Sequence, residues 1–323
     1  MAKSKTKPKV PSPRPAQYPQ RAPSGRGGPS RLLWLAAAIP LILAVAILAI
    51  WLPSRENDSS SAPAAGAEAS TAASLPNTPD YHSLMIDPQD PQHLWLGTHV
   101  GLHESTDGGR TWSEAGLGGQ DAMNLARSRR SQTVWAAGHM MFAKSTDGGA
   151  SWSNVVPDGL PSFDIHGFAV DPGSPRHLYA AVAGQGLYQS TNAAASFSLV
   201  SKTVGPAVMA LAVAPDGRIL AGDMQQGLLV SRDGGGSWAA VLNEGLMGLS
   251  INPKHPTRMI ATGSSGVSLS TDGGSTWRVV QPIADGAGPV AWAPSRPKVA
   301  YAVGFDRVLY ESVNGGASWQ PVS

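Results

Sequence analysis

The sequence predicts an all-β fold: a six-bladed β-propeller of four-stranded antiparallel blades, preceded by one N-terminal transmembrane helix. Three observations support this prediction. An eight-residue turn motif occurs six times, its copies are separated by 39 to 45 residues, and one uncharged stretch of 21 residues lies near the start of the chain. A repeat of roughly 40 residues that contains four short strands is typical of a propeller blade.

The N-terminal segment differs in charge from the rest of the chain. Residues 1–31 contain eight basic side chains and no acidic one, so the remaining residues contain 22 acidic and 16 basic side chains. We therefore expect a disordered basic cytoplasmic tail at 1–31. The net charge of +2 conceals this segregation, and the basic tail does not indicate a nucleic-acid partner for the main domain. The chain has no cysteine, which excludes disulfides and thiolate metal sites.

Residues 32–52 form the predicted membrane span. The sequence LLWLAAAIPLILAVAILAIWL is free of charge, and as a helix it would be about 30 Å long, the thickness of a bilayer core. It is longer than the apolar core of a cleaved signal peptide, so we expect an uncleaved anchor. Because the basic flank is N-terminal, the rest of the chain is expected outside the cell membrane.

Residues 53–80 are rich in Ser, Ala and Pro and show no apolar period. This composition predicts a flexible linker between the span and a propeller at 81–323. Whether residues 70–80 add a closing strand is left open.

Six copies of the turn motif define the propeller. They are STDGGRTW at 105, STDGGASW at 145, STNAAASF at 190, SRDGGGSW at 231, STDGGSTW at 270 and SVNGGASW at 312. Each copy is expected to join the third strand of a blade to its fourth, and in each unit two further strands precede it. The last unit ends with its own fourth strand, SWQPV, so we expect no exchanged strand to complete the ring.

The motif has a structural explanation. Glycines at its fourth and fifth positions permit backbone angles that other residues resist, Asp or Asn can accept hydrogen bonds from the amides of the turn, and the final aromatic ring is expected to fill the space between blades. The residues to which we assign this role are Ser105, Asp107, Trp112, Ser145, Asp147, Trp152, Ser231, Asp233, Trp238, Ser270, Asp272, Trp277, Ser312, Asn314 and Trp319. In the third copy Ala193, Ala194 and Ala195 stand where the other copies have mostly glycines, and Phe197 replaces Trp, so we expect a looser turn there.

The spacing S-x-[DN]-x-G-x-[ST]-W resembles the Asp-box (BNR) repeat. Propellers with this repeat include bacterial sialidases, xyloglucanases, sortilin-type receptors and the photosystem II assembly factor. HSLMIDP and LGTHVGLHES are most similar to small membrane-attached bacterial BNR proteins that carry a generic glycosyl-hydrolase label. The resemblance covers residues 81–323 and implies the propeller fold, whereas the motif itself carries no function.

A glycosidase is one of the functions this resemblance implies, but the expected residues are sparse. Glycosidases generally need two carboxyl groups that face one sugar, or a Tyr nucleophile with its helpers in sialidases. The Tyr and Glu residues of the domain fall mostly in predicted strands, and its arginines are mostly scattered singly. Asp121 and Asp164 are the only carboxylate pair that we nominate.

A different set of residues is expected to gather on the face opposite the Asp boxes. Alignment of the first strands places at one equivalent position His82, Met123, His166, Met209, Met247 and Pro289. Two residues earlier lie Asp80, Asp121, Asp164, Ala207, Gly245 and Ala287. The turns between the second and third strands add His99 and His139. As metal ligands we nominate His82, His99, His139, His166, Met123, Asp121 and Asp164. Imidazole, carboxylate and thioether ligands together suit copper or zinc, although the same residues could also be polar fillers of the channel mouth.

The sequence therefore predicts a membrane-anchored, extracytoplasmic propeller that is a non-catalytic binding or assembly module, with a metal or ligand site at the channel mouth. Two alternatives remain open. One is a glycoside hydrolase that acts on cell-surface glycans, and the other is a protein–protein platform similar to the photosystem II assembly factor. The extracytoplasmic partner, protein or glycan, is not specified by the sequence.

Overall fold

The computed structural model describes residues 74–128, 131–205 and 207–323. The predicted cytoplasmic tail (1–31), the predicted span (32–52) and the linker up to residue 73 lie outside the described residues. Within the described ranges no helix has the length and apolar character needed to cross a membrane.

The described residues form six four-stranded antiparallel sheets, each built from consecutive strands, which confirms the predicted propeller. Blades 1 and 2 contain β1 (Ser83–Ile86), β2 (Leu94–Thr98), β3 (Gly101–Ser105), β4 (Ser113–Gly116), β5 (Asn124–Arg127), β6 (Val134–Gly138), β7 (Met141–Ser145) and β8 (Ser153–Asn154). Blades 3 and 4 contain β9 (Ile165–Val170), β10 (Leu178–Val182), β11 (Gly186–Ser190), β12 (Ser198–Ser201), β13 (Val208–Val213), β14 (Ile219–Asp223), β15 (Gly227–Ser231) and β16 (Ala239–Leu242). Blades 5 and 6 contain β17 (Leu246–Ile251), β18 (Met259–Gly263), β19 (Gly266–Ser270), β20 (Arg278–Pro282), β21 (Ala287–Trp292), β22 (Ala300–Gly304), β23 (Leu309–Ser312) and β24 (Gln320–Pro321). We name the four strands of each blade A to D in chain order.

The ring closes through packing rather than through an exchanged strand. Each A strand contacts the A strand of the next blade, and β21 contacts β1. Blade 6 is completed by its own D strand, β24. Across the junction of blades 6 and 1 the Arg110 Nε atom donates a hydrogen bond of 2.9 Å to the backbone carbonyl of Ser323. Blades 1 and 6 are therefore held together by a side-chain hydrogen bond and apolar contacts.

The B strands and the motif aromatics form the core. All six B strands are buried along their whole length, and most of their residues are apolar or small. Each Asp-box aromatic packs into an apolar cluster that joins its own blade to the preceding one, as Trp238 does between blades 3 and 4. Phe197 occupies the same place between blades 2 and 3. Burial of these rings in the wedges between blades stabilises the ring of blades.

Each Asp box is closed by a short hydrogen-bond network. In blade 1 the Ser105 hydroxyl donates to an Asp107 oxygen at 2.8 Å and accepts from the Gly109 amide at 2.8 Å. The Asp107 carboxylate also accepts from the Thr111 amide at 2.9 Å. In blade 5 the Thr276 hydroxyl donates to the Asp272 carboxylate, and this is the largest of several hydrogen bonds that lower the pKa of Asp272 to about 2, so this carboxylate stays ionised at neutral pH.

The blade 3 turn keeps this network without glycine. The Ser190 hydroxyl donates to Asn192 at 2.9 Å and accepts from the Ala194 amide at 3.0 Å. Ala193 and Ala194 adopt left-handed backbone angles, with φ of 58° and 63°, which Gly occupies in the first, second, fourth, fifth and sixth boxes. The turn is therefore not looser in its hydrogen bonding, contrary to the expectation. The alanines instead introduce local backbone strain, because the left-handed conformation is unfavourable for an L-residue by about 1–2 kcal/mol.

Replacing Ala193 with glycine is expected to stabilise the protein by about 1 kcal/mol, because Ala193 is exposed and its methyl group contributes strain without burial. Chemical unfolding of the full chain measures this change. Ala195→Gly is the matched control. Ala195 is also exposed but is not among the residues with positive φ, so its replacement is expected to destabilise slightly. Equal stability of the two variants would contradict the strain assigned to Ala193.

The end of the predicted linker packs against the propeller. Leu75 is 5% exposed and belongs to the apolar cluster between blades 6 and 1. The Tyr81 hydroxyl donates to the Pro76 carbonyl at 2.8 Å, and an Arg307 nitrogen donates to the Asn77 side chain at 3.0 Å. Residues 74–82 form no strand. Leu75 is the only large aliphatic residue near this junction in the sequence before Tyr81, which explains why the segment is held at this point.

A candidate metal centre on one face of the propeller

The B–C turns and the D–A connections lie on one face of the propeller, which we call the B–C face. The Asp boxes, which are C–D turns, lie on the opposite face. Backbone contacts join neighbouring blades on the B–C face: the Ala122 amide donates to the Thr98 carbonyl at 3.0 Å, and His139 pairs with Asp164 in an isolated antiparallel bridge. These contacts bring the turns of blades 1, 2 and 3 together.

Seven side chains from these three blades form a continuous series of contacts. We call this set the His/Asp arc, and it consists of Asp80, His82, His99, Asp121, His139, Asp164 and His166. Their ligand atoms fall into three overlapping groups, in each of which the atoms lie within 4.8 Å of one another: Asp80, His82 and His99; His99, Asp121 and His139; and His139, Asp164 and His166.

The first end of the arc lies in blade 1. The Nε2 atoms of His82 and His99 are 3.1 Å apart. The Asp80 carboxylate lies 3.2 Å from His82 Nε2 and 2.7 Å from His99 Nε2. Two imidazoles and one carboxylate therefore point at a common position.

The other end of the arc joins blades 2 and 3. The Nε2 atoms of His139 and His166 are 2.9 Å apart. Asp164 Oδ1 lies 3.3 Å from His139 Nε2 and 3.0 Å from His166 Nε2. This end repeats the composition of the first.

Asp121 connects the two ends. Its Oδ2 atom lies 2.7 Å from His99 Nδ1 and also contacts His139 Nδ1. The rings of His99 and His139 are nearly parallel, with centroids 6.1 Å apart. The carboxylate of Asp121 thus lies between two imidazoles and orients both of them.

Burial varies along the arc. The side chains of His82 and Asp121 are 10% and 13% exposed, whereas those of His139 and Asp164 are 41% and 47% exposed. Burial lowers the pKa of His82, and the Asp80 carboxylate opposes this effect by raising it. Within the described part of the chain three buried polar atoms of the arc make no hydrogen bond: His82 Nδ1, Asp121 Oδ1 and Asp80 Oδ1, the last of which lies 3.2 Å from His82 Nε2. Buried polar atoms without partners are uncommon and call for an explanation.

Six of the seven nominated ligands belong to the arc, and Met123 does not belong to it. Met123 is 4% exposed and lines an axial cavity of about 90 Å³ together with His82, Met209 and Met247. Asp80 completes the first group although it was not nominated as a ligand. Its position in the sequence, two residues before His82 and equivalent to Asp121 and Asp164, could have identified it as a ligand.

The equivalent positions of blades 4 to 6 do not extend the arc. Positions 207, 245 and 287 hold Ala, Gly and Ala. In blade 4 the buried Asp223 carboxylate accepts hydrogen bonds from the amides of Ala207 and Gln225 at 3.1 and 2.7 Å. It therefore closes a turn and has no free oxygen directed at the arc.

The two carboxylates nominated for glycoside hydrolysis, Asp121 and Asp164, both contact imidazoles. Asp121 lies between His99 and His139, and Asp164 lies beside His139 and His166. In this arrangement each carboxylate is a partner of histidine side chains, which is the environment of a ligand or of an orienting group.

Comparison with known proteins shows similarity to propellers that contain the BNR repeat. A family model for the photosynthesis system II assembly factor YCF48 matches residues 73–224, the segment that contains the first three Asp boxes. This match and the six Asp boxes support an Asp-box (BNR) β-propeller family for the chain. No curated protein sequence matches this BNR propeller.

Several solved structures share the fold at low sequence identity. The GH74 xyloglucanase from Xanthomonas campestris is 20% identical with a TM-score of 0.56, over 78% of this chain and 46% of that one. YCF48 bound to D1 peptide is 19% identical with a TM-score of 0.51, over 78% of this chain and 83% of that one. YCF48 from Cyanidioschyzon merolae is 16% identical with a TM-score of 0.51, over 77% of this chain and 87% of that one. The BNR propeller thus spans less than half of the xyloglucanase, and at these identities the similarity extends to the fold alone.

Proposed function

We propose that this BNR propeller is a non-catalytic metal-binding module, held outside the cell membrane by the predicted span at 32–52. One observation supports the metal site above all others. Four imidazoles and three carboxylates from three separate blades place their ligand atoms in overlapping groups within 4.8 Å.

A metal ion explains the arc better than hydrogen bonding within it. Where two imidazole Nε2 atoms face each other at 3.1 or 2.9 Å, a hydrogen bond needs one of them to carry a proton, whereas a cation accepts both lone pairs. A cation would also provide a ligand bond for the buried Asp80 Oδ1 atom, which makes no hydrogen bond although it lies 3.2 Å from His82 Nε2. Neutral imidazole with carboxylate suits zinc or copper.

The experiment loads the full chain with zinc or copper, removes unbound metal by desalting and measures metal content by elemental analysis. We expect stoichiometric metal in the wild type and its loss in the His82→Ala/His139→Ala variant. The matched control is His177→Ala/His255→Ala, which also removes two imidazoles but on the Asp-box face. Absence of metal from the wild type, or equal loss in both variants, would overturn the proposal.

A protein partner is the second candidate function, and the same face supports it. Large apolar side chains are exposed on the B–C turns: Met140 is 89% exposed, Met224 51%, Val100 46% and Phe305 39%. Exposed apolar groups on one face favour binding of a protein segment, and the similar YCF48 structure contains a bound D1 peptide. If the chain binds no metal, peptide binding at this face becomes the leading function.

Glycoside hydrolysis has less support as a proposal. The similar xyloglucanase is more than twice as long as the matched region, and Asp121 and Asp164 are both in contact with imidazoles. A glycosidase pair should instead face one sugar from opposite sides, about 5–9.5 Å apart.

A further inference from the structure

The His/Asp arc contains two similar triangles of ligand atoms. The first consists of His82 Nε2, His99 Nε2 and the Asp80 carboxylate. The two nitrogens are 3.1 Å apart, Asp80 Oδ1 lies 3.2 Å from His82 Nε2, and Asp80 Oδ2 lies 2.7 Å from His99 Nε2. The second consists of His139 Nε2, His166 Nε2 and Asp164 Oδ1, with edges of 2.9, 3.3 and 3.0 Å. Each triangle provides two imidazole nitrogens and one carboxylate group.

These edges match the ligand shell of a small cation. A tetrahedral zinc ion bound at about 2.0–2.1 Å holds neighbouring ligand atoms about 3.3 Å apart. The six edges lie at or slightly below that separation, so binding requires only a small expansion of each triangle. Two imidazoles and one carboxylate leave a fourth position for water or another ligand, as in open zinc sites.

Asp121 determines which ring nitrogen of His99 and of His139 is available to bind a metal ion. Its Oδ2 atom contacts Nδ1 of His99 at 2.7 Å and Nδ1 of His139. A carboxylate oxygen accepts a hydrogen bond from each Nδ1–H, and this leaves the Nε2 lone pairs of both rings directed at the two triangles. The middle group of the arc is therefore an orienting element between two sites and not a third site.

We propose that the arc binds two metal ions, one in each triangle, and that Asp121 is a shared positioning residue for both. This inference rests on the proposed metal-binding function. It adds the number of ions and the coupling of the two sites through Asp121. Because one carboxylate oxygen serves both central histidines, a change at Asp121 must weaken the two sites together.

Zinc titration of the full chain, followed by calorimetry, tests the proposal. We expect two equivalents in the wild type, one in His82→Ala and one in His166→Ala, since each of these histidines belongs to a single triangle. Asp121→Asn is expected to keep two equivalents, with affinity at both sites lowered about 10- to 100-fold. Circular dichroism checks that each variant is folded, and the exposed end of the arc at His166 provides an alternative if His82→Ala does not fold.

The outcomes separate this inference from the proposed function. Absence of zinc binding in the wild type overturns both. One equivalent in the wild type overturns the two-site arrangement and leaves the metal-binding function intact. Loss of only one site in Asp121→Asn overturns the shared role of Asp121.

Discussion

Replacing Gly138 with alanine is expected to lower metal affinity by tenfold or more, although it removes no ligand. Gly138 ends β6 and directly precedes His139, and a Cβ atom at this position would overlap the backbone carbonyl oxygen of Asp121 and lie 2.9 Å from the Met123 amide nitrogen. The backbone that carries Asp121 must then move, and both His99 and His139 lose their common orientation. A metal site is sensitive to such shifts, because removal of an orienting group alone lowers affinity by 10- to 100-fold.

Gly263→Ala is the matched control for this prediction. Gly263 ends the B strand of blade 5, and its added Cβ would overlap the carbonyl oxygen of Gly245, the residue equivalent to Asp121. Both variants are expected to be destabilised by about 1–3 kcal/mol through overpacking, but only Gly138→Ala should lose zinc affinity in the calorimetric titration. Equal zinc affinity in the two variants would show that Asp121 and its neighbours do not form the site.

Replacing Gly227 with alanine is expected to destabilise the protein by about 3 kcal/mol or more. Gly227 begins β15 with φ of 79°, so an L-residue there is strained by about 1–2 kcal/mol. An added Cβ would also overlap the carbonyl oxygen of Leu242, and this overlap contributes a further 1–3 kcal/mol. The close approach arises at an irregularity in the pairing of β15 with β16, where the register shifts between Leu228 and Leu229.

Gly217→Ala separates the two contributions within the same blade. Gly217 has φ of 84°, but no other atom lies within 4 Å of its added Cβ. We therefore expect only the backbone strain of about 1–2 kcal/mol in this variant. Chemical unfolding of both variants measures the difference, and a Gly227→Ala variant no less stable than Gly217→Ala would refute the close approach to Leu242.

The sequence was sufficient to predict the propeller because its signals repeat. Each Asp box fixes the position of a C–D turn, and the interval between boxes fixes four strands per blade, so an error in one blade is corrected by the others. The same periodicity identified equivalent positions on the A strands, such as His82 and His166, and predicted that they would lie near one another on the face opposite the boxes.

Details that depend on side-chain direction were not predictable in this way. Met123 occupies the same repeat position as His82, but it lines the axial cavity and does not belong to the arc. Asp80 is the last residue of the predicted linker at 53–80, and its contacts depend on how the chain approaches the propeller. The left-handed backbone of Ala193 also follows from hydrogen bonds imposed by the rest of the turn, which override the local preference of alanine.

The most direct test of the metal centre is anomalous diffraction from crystals of the zinc-loaded protein. The structure predicts zinc peaks about 2.0–2.1 Å from the Nε2 atoms of His82 and His99, and about the same distance from those of His139 and His166. Zinc peaks confined to other surfaces, or no peak near these four histidines, would contradict a metal site on the B–C face.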